Sequence, residues 1–229
     1  MPSDLTTIAD PAFILLAWSA GLVLVVSFVS FARIVGPGFT WLAAGFSLLI
    51  ALPALFAVGA WWARAGGLAV VLALVWARNH AFAGLLMLVG GLALAVEGSL
   101  LAGSLPTASA ALALGGVTGE MALGHWYLVD PRLPRWALNG LAATAIIGLI
   151  GDSLVLWLGV GFPSGGGQLA YWVLGATSIL LMAGVLGSLR YPAYSGVMAA
   201  TGLSYLAVLT TLGVIFLGRA LAIGLGPFA

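Results

Sequence analysis

PAFILLAWSAGLVLVVSFVSFA, residues 11–32, is an apolar run without a single charged side chain. A helix rising about 1.5 Å per residue covers roughly 30 Å in such a stretch, the thickness of a bilayer's hydrocarbon core. Inside lipid every backbone N–H and C=O needs an internal partner, so a run of this kind crosses as a helix. Arg33 and the turn Gly36-Pro37-Gly38 close it. The preceding MPSDLTTIAD carries two acids and no basic stretch, so the run is expected to be a retained span rather than a cleavable signal.

The remainder of the chain repeats this composition. Its 229 residues are 63% hydrophobic and only 6% charged, with a mean hydropathy of +1.21. Soluble domains carry about a quarter charged residues. Thirteen charged side chains, seven Arg and six acids, cannot cover a soluble protein of this size. The expected fold is an all-α integral membrane protein, a polytopic bundle forming one transmembrane helical domain over residues 1–229. About eight spans are read, near 11–33, 39–58, 60–77, 81–103, 110–129, 136–160, 169–189 and 193–217. Seven is the alternative if 60–78 is re-entrant. Pro53 is expected to kink the second span, 104–109 to form a polar turn, and 161–168 to form a glycine-rich loop.

Charge sets the orientation. With eight spans, Arg33, Arg78, Arg132, Arg135 and Arg190 fall on one side, against Arg64 and Arg219 on the other. The positive-inside rule then puts both termini outside, in what is expected to be a bacterial cytoplasmic membrane. There is no Lys, hence no polybasic tract for nucleic acid, and no Cys for disulfides, thiolate metal sites or iron–sulfur clusters. No loop exceeds about ten residues, which excludes an appended kinase, ATPase or other soluble catalytic module. Motifs for a serine nucleophile elbow, a zinc protease or a phosphate loop are absent. No internal sequence repeat stands out.

Glycines recur at helix-packing intervals: Gly84, Gly91 and Gly98 at sevens, and Gly116 and Gly124 four residues either side of Glu120. Small residues let helix backbones approach where lipid supplies no hydrophobic drive. Three carboxylates lie within spans, at a cost of roughly 2.5–3.5 kcal/mol each for a charge at a helix centre. Glu120 lies ten residues from Asp130, about 15 Å deep and near the midplane. Glu97 and Asp152 fall at similar depths in the outer half, where a shared cavity is one reading. With Arg219 read as lying beyond the last span, no intramembrane cation is expected to pair with them. Glu97, Glu120 and Asp152 are therefore candidates for a proton or ion path, with the neutral form the default for at least one.

His80 and His125 are the only histidines. They sit at the same end of two consecutive antiparallel spans, so a hairpin could offer both imidazoles to one pocket as haem b axial ligands or as quinone contacts. No metal site beyond haem iron is read, since further N, S or O ligands are lacking. His125 lies five residues from Glu120, about 140° around the helix, so acid and imidazole form no local pair.

Three readings follow. The first is an integral membrane subunit of a respiratory or related electron-transfer complex, binding haem b or quinone and contacting other subunits and membrane lipids. The second is a proton- or cation-coupled carrier working through the intramembrane carboxylates. The third is a cofactor-free structural or assembly subunit. No self-contained catalytic motif marks the chain as an enzyme, and no nucleic-acid partner is expected.

Overall fold

The computed structural model describes residues 10–160 and 167–222. The N-terminal stretch before Asp10, most of the glycine-rich loop and the tail after Ala222 lie outside the described residues. All described secondary structure is helical: α1 (Pro11–Phe31), α2 (Pro37–Val58), α3 (Trp61–Val75), α4 (His80–Ala102), α5 (Ser104–Tyr127), α6 (Arg135–Val160), α7 (Gln168–Leu189) and α8 (Tyr194–Ala222). Six of them, all but α3 and α5, are long and apolar enough to cross a membrane. At 15 residues, α3 reaches only about 22 Å. α5 has the length, 24 residues, but its Ser, Thr, Gly, Glu and His content dilutes its hydropathy.

Local chemistry sets the helix boundaries. Asp10 caps α1 by accepting from the Ala12 N–H at 2.8 Å, with Pro11 in the first turn where its missing N–H costs nothing. At the other end Arg33 takes a left-handed φ of 50°, and the Ile34 N–H reaches back to the Val29 carbonyl, a C-terminal closure more often built on glycine. α2 continues through Pro53 and stops at Gly59, φ 62°. Asn79 caps α4 through the Phe82 N–H.

The expected polar turn at 104–109 is instead the first turns of α5. Gly103, at φ 93°, makes the whole reversal in one residue. The Thr107 hydroxyl then returns to the Gly103 carbonyl, which lets a polar residue sit in a helix. α8 likewise runs past the expected end at 217 to Ala222.

The two halves of the chain repeat one order of contacts. In the first, α1 packs on α2 and α4, and α3 bridges α2 and α4. In the second, α5 packs on α6 and α8, and α7 bridges α6 and α8. Four helices per half make α1 and α5 run in the same direction. They cross at Gly21 and Gly115, where a Cβ on either residue would strike the backbone of the opposite helix. The sequence shows no such repeat because contact order depends on helix lengths and small-residue positions, which many different side chains satisfy.

Other seams use the same device. Gly84 and Gly91 admit Phe31 and Leu24 of α1, while Gly66 of α3 and Gly90 of α4 meet each other. Gly116 faces Ala145 of α6, and Gly148 faces the backbone of Ala113. Hydroxyls cross the seams as well: Ser19 donates to the Ser47 carbonyl, Ser27 to the Gly84 carbonyl, and the Trp18 indole to Thr118 at 2.8 Å.

The arginine-bearing turns gather at one end. Phe31 of α1 lies on Gly84 near the start of α4, and Trp126 of α5 packs on Gly38 and Phe39 at the start of α2. Arg135 donates to the carbonyls of Leu189, Tyr191, Pro192 and Ala193, tying the α5–α6 and α7–α8 turns together. Arg132 bonds Asp130 at 3.1 Å and holds that exposed carboxyl below the usual carboxylate range.

Glycine seams of this kind make a directional prediction. Gly148→Val should lower the unfolding midpoint in detergent, by about 3 kcal/mol of stability, because its Cβ meets backbone that cannot move aside. Gly140→Val, with nothing within 4 Å of its Cβ position, should leave the midpoint unchanged. Thermal melts followed by circular dichroism compare the two.

Candidate functional site

One file of buried polar groups runs along the seam between α5 and α8. On α8, Thr201, Ser204, Thr211 and Arg219 recur at steps of three, seven and eight, which keeps them on one slowly drifting face. All four are buried. Opposite them α5 contributes Gly124, Glu120 and Ser109, in the same descending order.

At the end away from the arginine-rich turns, Asp152 of α6 and Arg219 of α8 form a bidentate ion pair, Nη2 to Oδ1 at 2.6 Å and Nη1 to Oδ2 at 2.8 Å. Their side chains are 6% and 1% exposed. The expectation that no cation pairs with Asp152 is therefore corrected. Arg219 lies inside α8, its long stem folding back one turn so that Nη1 also reaches the Ile215 carbonyl. The Ser109 hydroxyl donates to Asp152 at 2.8 Å, and the guanidinium lies 5.3 Å from the centre of the Phe13 ring. A charge pair this deeply buried holds only where hydrogen bonds offset desolvation, and here α1, α5, α6 and α8 all supply contacts. Ser153, next to Asp152, faces elsewhere and accepts from the Tyr171 hydroxyl.

Glu120 is the contrast. It is fully buried, and neither carboxyl oxygen has a hydrogen-bond partner in good geometry. Ser204 of α8 lies beside it, and a Cβ on Gly124 would sit 2.6 Å from Thr201 Oγ1 and 3.6 Å from Glu120 Oε1. Both hydroxyls have already given their protons to α8 carbonyls, Thr201 to Val197 and Ser204 to Thr201. Their lone pairs, not their protons, are what they offer the carboxyl. Between Glu120 and Arg219 on the same seam, Thr211 Oγ1 is also buried without a partner.

Glu97 is buried on the α4 face that carries Gly90 and Leu94, which pack on Gly66 of α3. Asp152 turns toward α8, so the two do not share a cavity.

The two histidines are not brought together. His125 is exposed on the outside of α5, its Nδ1 3.2 Å from the Tyr205 hydroxyl of α8 and its ring edge-on to that tyrosine. His80 begins α4, partly buried, with Nδ1 lacking a partner. The hairpin expected to hold both opens as it leaves Gly103, because α1 packs on α4 through Ser27 and Phe31 and on α5 through Gly21 and Val25. No hydrogen bond or ring contact joins the imidazoles, and among the described residues no three His, Asp or Glu converge as a ligand set.

Sequence reasoning missed Arg219 as a site residue, whereas Thr201, Ser204 and Tyr205 belong to the most hydroxyl-rich span, where interhelical hydrogen bonding or a proton or quinone path can be read from the residues. One signal for Arg219 was present: the apolar run ALAIGLG continues after it, as it would if the helix did too. No protein-family model, curated protein or solved structure matches the chain.

The ion pair carries a testable energetic signature. Arg219→Met or Asp152→Leu alone leaves one buried charge uncompensated and should cost about 3–5 kcal/mol. The double variant should recover most of that loss, since it removes both charges. A double-mutant cycle in detergent measures the coupling directly.

Proposed function

We propose that the chain is a proton-coupled membrane carrier, with Glu120 as its protonation site and the α5–α8 seam as its proton route. The supporting observation is the pairing of a fully buried carboxyl that has no cation with two hydroxyls whose own protons are committed elsewhere. A neutral Glu120 carries its own proton to offer to the hydroxyl lone pairs beside it, whereas the anion meets only lone pairs. Loading and unloading a proton therefore changes what holds α5 to α8. Intramembrane carboxylates mark ion pathways by default, and carriers built from parallel repeats place their sites near the midplane between the halves. Glu120 lies five residues from the Gly115 crossing, on the helix that forms it.

In this reading the arginine-rich turns face the cytoplasm, by the positive-inside rule, and the chain resides in a bacterial cytoplasmic membrane with both termini outside. Asp152–Arg219 closes the seam on the outer side. Reconstituted into proteoliposomes, the wild-type chain should take up protons under an imposed potential, and Glu120→Gln should slow this at least about tenfold while leaving the melting midpoint intact. An unchanged rate in Glu120→Gln removes the proposal.

A second reading rests on His125. Its imidazole is exposed on the outside of α5 with a tyrosine hydroxyl on Nδ1, an imidazole–phenol pair with one free donor that a membrane-diffusing quinone can reach without entering the bundle. This is the electron-transfer subunit, working with other subunits of a larger complex, and in that role His80 or His125 could also take part in holding haem b. The purified protein should then show extractable quinone or a Soret band that His125→Ala abolishes. A colourless preparation free of quinone overturns it.

A further inference from the structure

The oxygens around Glu120 have no hydrogen to offer it. The Thr201 hydroxyl donates to the Val197 carbonyl at 2.9 Å and the Ser204 hydroxyl to the Thr201 carbonyl at 2.8 Å, so each presents only lone pairs to the seam. Glu120 itself is fully buried, and neither of its oxygens has a partner. Gly124, one turn further along α5, lets these groups converge. A Cβ there would lie 2.6 Å from Thr201 Oγ1 and 3.6 Å from Glu120 Oε1, so hydroxyl and carboxyl address the same bare side-chain position from two helices. Ser204 lies beside the carboxyl as well.

Three side chains thus bring four oxygens to one buried stretch of the seam, and none carries a free proton once the acid ionises. An anion is repelled by such a set. Oxygen-only ligands suit a hard cation. The charge count then selects which cation. The ionised carboxyl supplies one negative charge, and the helices packed on α5 add none to it. α1 has no ionisable side chain. α6 has Arg135, bound to carbonyls of the α7–α8 turn, and Asp152, paired with Arg219 of α8. α4 has His80 at its first residue and Glu97 on the face toward α3. Tyr194 of α8 lies against Tyr127 of α5, and Tyr205 turns outward to His125. A monovalent ion therefore leaves the site neutral, whereas a divalent one would bury an uncompensated charge. The close approach of α5 and α8 at Gly124 favours a small ion.

We infer that the Glu120 site takes one Na⁺ in exchange for its proton, with the carboxylate and the Thr201 and Ser204 hydroxyl oxygens as ligands, so that sodium is the ion the carrier moves. The exchange balances. The Glu120 O–H bond breaks, its electron pair stays on the carboxylate, the proton leaves to water, and Na⁺ takes its place with no change in the net charge of the seam. The inference rests on the reading of Glu120 as the protonation site.

Dicyclohexylcarbodiimide provides the test, because this apolar reagent couples to a protonated carboxyl and so reports whether Glu120 holds a proton. The full chain in nanodiscs is labelled across a pH series in NaCl, KCl or choline chloride at constant ionic strength. Peptide mapping follows Glu120, with Glu97 as internal reference. Na⁺ should slow labelling of Glu120 at least about tenfold relative to K⁺ or choline, and leave Glu97 unchanged. Each tenfold rise in Na⁺ should lower the half-labelling pH by about one unit, as one ion displacing one proton requires. Thr201→Val keeps the side chain's shape but loses its oxygen, and should raise the Na⁺ concentration for half-protection about tenfold, with Thr201→Ser restoring it. Ser204→Ala is the second variant should the first fail to fold. Labelling that follows pH but ignores Na⁺ overturns the inference and leaves the proton site standing, whereas labelling that ignores pH as well removes both. Equal protection by K⁺, equal protection of Glu97, or undiminished protection in both Thr201→Val and Ser204→Ala would also overturn it.

Discussion

The crossing of α1 and α5 at Gly21 and Gly115 is the constraint on which the rest of the bundle depends. A Cβ at either position would overlap the opposite backbone, so the two helices approach as closely as peptide groups allow. Lipid gives no hydrophobic reward for bringing helices together, and association rests on close van der Waals contact and on hydrogen bonds across the seam. The Trp18–Thr118 bond lies three residues from the crossing on each helix. Each half is a closed circuit of four helices, and this one contact joins them most intimately.

The buried polar groups divide by how completely they are satisfied. Ser27, Ser47, Thr107, Ser178 and Thr201 all return their protons to helix carbonyls, on their own helix or a neighbour, and act as seam material. Asp152 and Arg219 neutralise each other and fix the ends of α5, α6 and α8 in one arrangement. Glu120 has no such partner. Thr211 Oγ1, His80 Nδ1 and Arg219 Nε are also without partners, but Glu120 is the acid with both carboxyl oxygens unpaired, which costs stability without a structural return. That imbalance is the physical ground for assigning it work, and it sets Glu120 apart from Asp152, an acid of similar burial in a wholly different environment.

The histidines show how far hairpin logic reaches. Two antiparallel helices joined at Gly103 are neighbours at the turn, and sequence proximity suggests they stay so. They do not, because Gly21, Gly84, Gly91 and Gly119 make α1 the better partner of both, and it packs against each of them. His125 is left on the outside with Tyr205, and His80 remains with the first half. The glycines that decided this were visible in the chain, but which helix each would meet was not.

Composition and apolar run length alone determined that the chain is a bundle of membrane helices. A bilayer requires internally hydrogen-bonded segments of a fixed length, and few other sequences meet that demand. The arginine asymmetry, Glu120 as a deep acid, and Asp130–Arg132 as a helix exit were equally legible, since each depends on position along one helix. Only the tertiary structure decided which polar groups meet. The Asp152–Arg219 pair spans 67 residues, and its arginine lies inside a helix that local hydropathy ends too early. Such contacts depend on rotation and approach between helices. Those are fixed by the fit of small residues against distant backbone, a property of pairs of surfaces that no single run of residues contains.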